Sequence, residues 1–305
     1  MPTSRTSIIR GPGTVSYGGE KLFDASGITA EIETATRDTP SSICGNIATI
    51  KTDQTGKISF TPCGEISEAL LALLFPYGNA QIGASACGDA DRPLVIHAIN
   101  GTKVTFVNAV VAKMPEIYLS PIKTAFGAVD FNAALGLGKT PADVGGFYAV
   151  ESAPYDAGVP DPSGIKGVEY KATYGDLEIN DTTEGWTITP EVTLEPVIVD
   201  ALGTIDWTIA SIGCTATCTP LGLTEEQILA ALPAMQARGS IIGGAHDLSI
   251  RGVGGLHVTL RNASIMRGPL NWGNTTLRAG QIQFKAHRAI NERALGDMFS
   301  VKMAS

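Results

Sequence analysis

The segment LVIHAINGTKVTFVNA, residues 94–109, contains two runs of alternating apolar and polar residues on either side of Asn100-Gly101. Alternation with a period of two is typical of a strand with one buried face, and Asn-Gly is a strong turn signal between two such runs. The segment therefore predicts an antiparallel β-hairpin. A second segment of the same design, LSIRGVGGLHVTLRNA, occupies residues 248–263 and turns at a Gly-Gly pair.

The two hairpin segments belong to a longer internal repeat, in which matching blocks follow one another in the same order. The matched blocks are 16–33 with 173–193, 45–51 with 203–209, 61–76 with 219–233, 94–109 with 248–263, 125–134 with 278–287, and Phe147 with Phe299. Each block places apolar on apolar residues and Gly or Pro on turns. We therefore predict one domain over residues 1–153, a Pro/Gly/Asp-rich linker over 154–164, and a second copy of the domain over 165–305.

Strand patterns dominate each copy. Segments 28–34, 47–52 and 57–61 alternate as half-buried strands do, and the segments AVDFNA and QIQFKA predict a closing strand in each copy. The predicted fold class is mainly β: two tandem copies of a β-sandwich or rolled sheet, each with one flanking α-helix.

One helix is predicted in each copy. The first lies within 66–74, where apolar residues recur at helical spacing until Pro76 ends the run. These residues are Ile66, Ala69, Leu70, Leu73 and Leu74. The second begins at Thr224-Glu225-Glu226-Gln227, which has the pattern of a capping box. We expect the second helix to bury Ile228, Ala231 and Leu232. Truncating Leu70 or Leu229 should destabilise the fold, as large-to-small changes on a buried helix face usually do.

Composition limits the possible function classes. The chain has 305 residues, 44% of them apolar and 17% charged, which excludes wholesale disorder. With a formal net charge of −8, the chain lacks the excess of basic residues that drives phosphate binding. The start MPTSRTSIIRGPG has no apolar core, so we expect no signal peptide, and no apolar run reaches the ~18 residues of a membrane span.

The reactive side chains form no recognisable motif. Five cysteines, at 44, 63, 87, 214 and 218, include no CxxC pair, and we expect reduced, small thiols. His97, His246, His257 and His287 are scattered, without a metalloprotease or nucleophile-elbow pattern. We therefore predict that the protein is not an enzyme and has no catalytic, cofactor-binding or metal-binding residues.

Charge is unevenly distributed along the second copy. Residues 151–206 contain twelve acids and two lysines, whereas residues 251–305 contain eight basic residues and two acids. The two stretches either neutralise each other within one sheet or lie on opposite ends of the molecule, where they would favour head-to-tail stacking. The candidate stacking residues are Glu184, Glu191, Glu195, Arg261, Arg267 and Arg278.

The order of elements and the stretch YGGEKLFDASGITAEIETATRDTPSSICGNIA, residues 17–48, resemble the tail tube proteins of long-tailed bacteriophages. The resemblance covers both copies. It implies a β-sandwich with a flanking helix, six of which form a ring, with rings stacked into a tube that conducts DNA. Members of this family usually have one domain per chain, so two domains per chain imply a trimeric, pseudo-hexameric ring.

The resemblance also implies partners and a location. We expect self-association into rings and tubes, contacts with the tail terminator, distal tail and tape measure proteins, and DNA that passes the lumen without specific binding. The protein would belong to the virion tail and assemble in the host cytoplasm. Two alternatives remain: a low-copy tail hub or distal tail component of the same fold, or a tandem β-sandwich binding module.

Overall fold

A computed structural model describes residues 13–24, 27–63, 67–88, 91–120, 125–135, 146–155, 170–231, 246–252, 255–268, 280–288, 290–291 and 294–303. The described chain is mainly β, and its strands pair antiparallel in several sheets. The predicted mainly-β class is confirmed. The predicted linker lies outside the described residues from 156 onward.

The first half of the chain, up to residue 153, contributes a six-stranded and a four-stranded sheet. Its strands are β1 (Gly13–Tyr17), β2 (Glu20–Asp24), β3 (Thr29–Ser41), β4 (Gly45–Phe60), β5 (Pro62–Cys63), β6 (Leu94–Ala98), β7 (Thr102–Phe106), β8 (Asn108–Lys113), β9 (Ile117–Leu119), β10 (Val129–Ala134) and β11 (Tyr148–Ser152). The sheet orders are β11-β7-β6-β1-β2-β5 and β3-β4-β10-β8.

The second half forms most of a nine-stranded sheet. The strands of this half are β12 (Tyr170–Tyr174), β13 (Leu177–Ile179), β14 (Thr182–Val199), β15 (Gly203–Pro220), β16 (His246–Gly252), β17 (Leu256–Arg267), β18 (Ile282–Lys285), β19 (Ile290–Asn291), β20 (Ala294–Leu295) and β21 (Phe299–Met303), of which β19 and β20 form a separate two-stranded sheet. The sheet order is β13-β12-β16-β17-β18-β15-β14-β9, and β21 pairs with β17. Strand β9 of the first half therefore completes a sheet of the second.

Apolar faces of the sheets pack against each other. In the first half, the Tyr17 ring of β1 contacts the Phe131 ring of β10 edge-on, with centroids 4.8 Å apart. In the second half, Tyr174 contacts Phe284 in the same manner at 5.3 Å. The buried side chains of both halves belong to one continuous hydrophobic cluster. This layered packing is consistent with a β-sandwich.

Both predicted hairpins are present, and each continues into a second layer. The β6–β7 turn forms at Asn100-Gly101, where Gly101 has φ +82° and its N–H donates to the Ala98 carbonyl at 2.9 Å. After Val107 the chain changes sheets, because β7 pairs with β6 while β8 pairs with β10. Strand β17 makes the same change without a break, bending at Asn262, which has φ +43°. Asparagine tolerates this left-handed conformation better than most residues.

Two short helices follow strands β5 and β15. Helix α1 (Glu68–Leu74) is capped by Ser67, whose hydroxyl accepts from the Leu70 N–H at 3.0 Å. Helix α2 (Glu225–Ala231) begins with the predicted capping box: Gln227 N–H donates to Thr224 Oγ1 and Thr224 N–H donates to Gln227 Oε1. The sequence therefore predicted the start of α2 from a local hydrogen-bonding pattern, whereas the first helix was predicted from apolar spacing alone and its Ser67 cap was not identified.

The predicted buried leucines differ between the helices. Leu70 is buried, together with Leu71 and Leu74. On the second helix, Ile228 is buried as predicted, and Leu232 lies outside the described residues. Leu229 is 55% exposed, so the expectation for Leu229 was wrong. A helix of two turns presents one narrow face to the core, and a shift of one residue moves a side chain by about 100° around the axis.

Two strands are longer than their sequence patterns indicated. Segments 47–52 and 57–61, predicted as separate strands, mostly belong to the single strand β4. Strand β3 pairs with β4 along its whole length, with register shifts at Ala35–Thr36 and Thr39–Pro40. Such bulges allow a long strand to bend while its pairing continues.

Candidate assembly surfaces

The predicted stacking residues fall on two strands of the nine-stranded sheet. Glu184, Glu191 and Glu195 are exposed on β14, and Arg261 and Arg267 are exposed on β17. Arg278 lies outside the described residues.

Strands β18 and β15 separate β17 from β14. Only the part of β17 after Asn262 pairs with β18, so Arg267 shares that layer with β14 whereas Arg261 lies on the part of β17 that pairs with β16. Arg261 donates to Asp247 on the neighbouring strand β16, at 2.6 Å. The candidate glutamates and arginines therefore lie on strands that are not adjacent, and Arg261 is neutralised by an acid of its own hairpin.

A second group of basic residues, which sequence reasoning did not single out, lies across four adjacent strands. Lys171 of β12 is opposite Arg251 of β16, Arg251 is opposite His257 of β17, and His257 is opposite Lys302 of β21. We call these four residues the basic row. The next residue along each strand points into the core, and these are Ala172, Ile250, Val258 and Val301. Alternation in the sequence indicates an outward face, but only the cross-strand register places the four residues side by side.

The matching row of the first half carries different charges. Thr14, His97, Lys103 and Glu151 lie opposite one another across β1, β6, β7 and β11. Lys103 Nζ lies 2.5 Å from Glu151 Oε1, so this row contains its own ion pair. The basic row of the second half contains no acid.

His257 is held in its neutral form by its surroundings. Burial lowers its pKa from the usual value, and the positive charges of Arg251, Arg261 and Lys302 lower it further. Its Nε2 lies 2.9 Å from Ser249 Oγ. At neutral pH the basic row therefore carries three permanent charges, from Lys171, Arg251 and Lys302.

A group of exposed acids lies on and around β13 and β14, and we call it the acidic strip. Its members are Asp176, Glu178, Asp181, Glu184, Glu191, Glu195 and Asp200. No lysine or arginine occurs between residues 172 and 237. The salt bridges seen among the described residues involve none of these seven carboxylates.

Each half also has a long two-stranded hairpin. The first arm, residues 33–55 of β3 and β4, extends beyond the part of β4 that pairs with β10. It exposes Ile43, Ile47 and Ile50, and Ile43 is 91% exposed. The second arm, residues 191–213 of β14 and β15, extends in the same way beyond β18.

The second arm lies against the first half of the chain. Backbone hydrogen bonds join Gly83 N–H to the Ile209 carbonyl at 2.8 Å and Ala86 N–H to the Trp207 carbonyl at 2.7 Å. At the tip of the arm, Asp53 accepts from Thr204 N–H at 2.9 Å and from Thr204 Oγ1 at 2.6 Å. The two halves are thus joined by polar contacts as well as by a common core.

The polar side chains and thiols at this junction are buried, and the thiols have low reactivity. Asn108 donates to Cys87 Sγ at 3.1 Å, and Asp206 accepts from Cys87 N–H at 3.3 Å. Burial, then the hydrogen bond to Asp206, raises the pKa of Cys87 to about 12. Burial likewise raises the pKa of the Cys214 and Cys218 thiols. These thiols stay protonated at neutral pH and are poor nucleophiles.

In the described part of the chain, no three His, Cys, Asp or Glu side chains are arranged to hold a metal ion. A cleft of about 550 Å³ lies beside the contact between the first arm and the tip of the second, and its lining includes Arg37, Lys51, Asp53 and Phe147. None of the helices described could span a membrane.

A comparison with models of known protein families finds no match for this sequence, and a search among curated proteins finds no significant match. The function proposed below is therefore argued from the residue patterns and the geometry of the chain.

Proposed function

We propose that this chain is the major tail tube subunit of a long-tailed bacteriophage. It contains two copies of one tube domain, over 1–153 and 165–305, joined by a linker at 154–164, and each copy has one flanking helix. Three chains form a pseudo-hexameric ring, and stacked rings enclose a lumen through which DNA passes. The protein acts as a structural component of the virion tail, assembled in the host cytoplasm, and not as an enzyme.

The observation that carries this proposal is the matching pairing of the main strands in the two halves. Strand β1 pairs with β2 and β6, as β12 pairs with β13 and β16. Strand β10 lies between β4 and β8, as β18 lies between β15 and β17. The register agrees as well, with Tyr17 opposite Leu94 and Tyr174 opposite Leu248. This agreement supports the tandem duplication predicted from the repeat, with Phe299 corresponding to Tyr148 in register and not to Phe147.

The arms support assembly into a ring of like domains. Within the chain, the second arm lies on the first half, whereas the first arm is largely exposed and carries three exposed isoleucines. If domains follow one another around a ring with the same contact, the first arm lies on the second half of the next chain. Such a heterologous contact closes when the rotation per domain matches the ring.

The charge of the chain suits a conduit for DNA. A lumen that bound phosphates would retain the DNA, because each cationic contact adds affinity through counterion release. A net charge of −8 per chain is compatible with DNA that slides past. The tail terminator, distal tail and tape measure proteins are the proposed partners at the ends and inside the tube.

Negative-stain electron microscopy of the purified chain tests the proposal, with hollow rings or tubes as the expected result. Ile43→Asp with Ile47→Asp should prevent ring formation while leaving the cooperative unfolding transition in place. Leu229→Asp, at an exposed residue outside the arm, serves as the matched control. A wild-type chain that stays monomeric at high concentration, or occurs in only a few copies per virion, would contradict the assignment as tube subunit.

A further inference from the structure

We propose that the basic row, Lys171, Arg251, His257 and Lys302, binds the acidic strip of a second copy of this chain. The inference rests on the proposed function, because it names the surfaces through which the subunits meet. It keeps the acidic candidates predicted from the sequence but replaces the basic ones, since Arg261 already has a partner in Asp247.

The basic row is poorly compensated within its own chain. Like charges directly opposite each other on neighbouring strands destabilise a sheet. Lys171 and Arg251 occupy such a pair, and the intervening His257 separates Arg251 from Lys302 without adding an acid. Glu178 is opposite Thr173, so it lies diagonal to Lys171 at the edge of the face. An external anion would relieve this repulsion.

The equivalent row of the first half shows how such a face is neutralised within one chain. There, Glu151 occupies the position that Lys302 has in the second half, and it pairs with Lys103. The second half has Lys302 at the position of this acid, and Arg251 and Lys171 at the positions of His97 and Thr14. One surface is therefore cationic while its counterpart is balanced.

The acidic strip has the matching chemistry. It presents seven exposed carboxylates along a segment without lysine or arginine, and the described salt bridges involve none of them. The acids of the strip on β14 lie at the far end of the sheet order from the row, whereas Glu178 on β13 borders the row at Lys171. Contact between the strip of one chain and the row of the next is therefore heterologous, and repetition of it adds subunits in one direction.

Nucleic acid fits the face less well. The outward residues next to the basic row are hydroxyl-bearing, namely Thr173, Ser249, Thr259 and Ser300. Apart from the His257 imidazole, this described face offers no aromatic ring on which a base could stack. The net charge of −8 also opposes the approach of a polyanion.

A charge-swap experiment tests the pairing. Variant one carries Lys171→Glu, Arg251→Glu and Lys302→Glu, and variant two carries Glu184→Lys, Glu191→Lys and Glu195→Lys. Each alone should self-associate at least about tenfold more weakly than wild type in sedimentation velocity, since like charges meet at the contact. An equimolar mixture should recover association, because each reversed surface then meets its complement. Salt at about 1 M should weaken the wild-type association by screening.

A control variant with Lys21→Glu, Lys113→Glu and Lys285→Glu, three exposed residues outside both arms, has the same net charge as variant one but leaves the basic row intact, and it should associate as wild type does. Thermal unfolding of all variants separates loss of contact from loss of fold. Unchanged association of variant one, or no recovery in the mixture, would overturn the inference. So would binding of a duplex of about 20 base pairs by wild type that variant one loses while its association persists. If variant one forms rings as well as wild type does, the pairing inference fails but the tube proposal stands. If association responds to the charge swap but rings never form, the tube proposal fails but the pairing inference stands.

Discussion

The hydroxyl of Tyr17 donates a hydrogen bond to the carbonyl of Ala109 at 3.0 Å, which joins the two sheets of the first half. Tyr174 makes the equivalent bond to the Ala263 carbonyl at 2.9 Å in the second half. Each carbonyl lies at the residue after an asparagine where the chain turns from one sheet into the next. The tyrosines therefore hold the corner of each half in place.

Tyr17→Phe and Tyr174→Phe should each lower the free energy of unfolding by about 1 kcal/mol, since a buried carbonyl loses its donor while the ring packing is kept. Chemical denaturation with matched slopes measures this. Similar losses in both variants would agree with equivalent corners in the two halves, and an unchanged midpoint in either variant would show that water replaces the hydroxyl there.

Gly185 should not tolerate a side chain. It has φ +85°, and a Cβ there would lie 2.1 Å from the Leu119 carbonyl oxygen, where β9 pairs with β14. Gly222 has a similar φ of +78° but open space around it. Gly222→Ala should therefore cost about 1–2 kcal/mol from the backbone alone, and Gly185→Ala about 1–3 kcal/mol more from the clash.

Thermal or denaturant unfolding of the two glycine variants separates these contributions. The Gly185 variant should also expose the contact between the halves to proteolysis, because the β9–β14 pairing depends on this close approach. Equal destabilisation of the two variants would mean that β9 moves aside without a further loss in the free energy of unfolding.

Features that depend on neighbouring residues could be predicted from the sequence. The turn at Asn100-Gly101 follows from the residues that tolerate it, and the α2 start follows from Thr224 and Gln227, which satisfy each other's backbone N–H groups. Such patterns involve only three or four neighbouring residues, so the local sequence is enough to determine the backbone conformation.

Features that depend on register across the chain could not be predicted. Strand β9 completes a sheet of the other half, a pairing that joins residues about seventy positions apart. The basic row likewise forms only because four strands align Lys171, Arg251, His257 and Lys302. Alternation in the sequence indicates on which face of the sheet each side chain lies, but it does not determine which residue lies opposite it on the next strand.

The two helices provide a matched pair for core packing. Leu70→Ala should cost about 2–5 kcal/mol, because Leu70 is buried against the core. Leu229→Ala should change the free energy of unfolding by less than about 0.5 kcal/mol, because the side chain is largely exposed. Denaturant unfolding of both variants measures the difference, and comparable losses would indicate that Leu229 is covered in solution.

Stability should decrease as the pH falls through the range in which histidine titrates. The pKa of His257 is lowered in the folded state by burial and by Arg251, Arg261 and Lys302, so the unfolded chain binds its proton more readily. The contribution to stability is complete above the unfolded pKa of about 6.5 and is lost as the pH falls through the lower folded value.

The free energy of unfolding, measured between about pH 7.5 and pH 5.5, should therefore depend less on pH in His257→Gln than in wild type. A residual dependence is expected from His287, whose pKa burial and Lys285 also lower. Lys302→Gln should raise the pKa of His257 in an NMR titration, because it removes one of the facing cations. An unchanged imidazole titration in that variant would show that Lys302 and His257 do not interact across β17 and β21, and the register that defines the basic row would then be wrong at this pair.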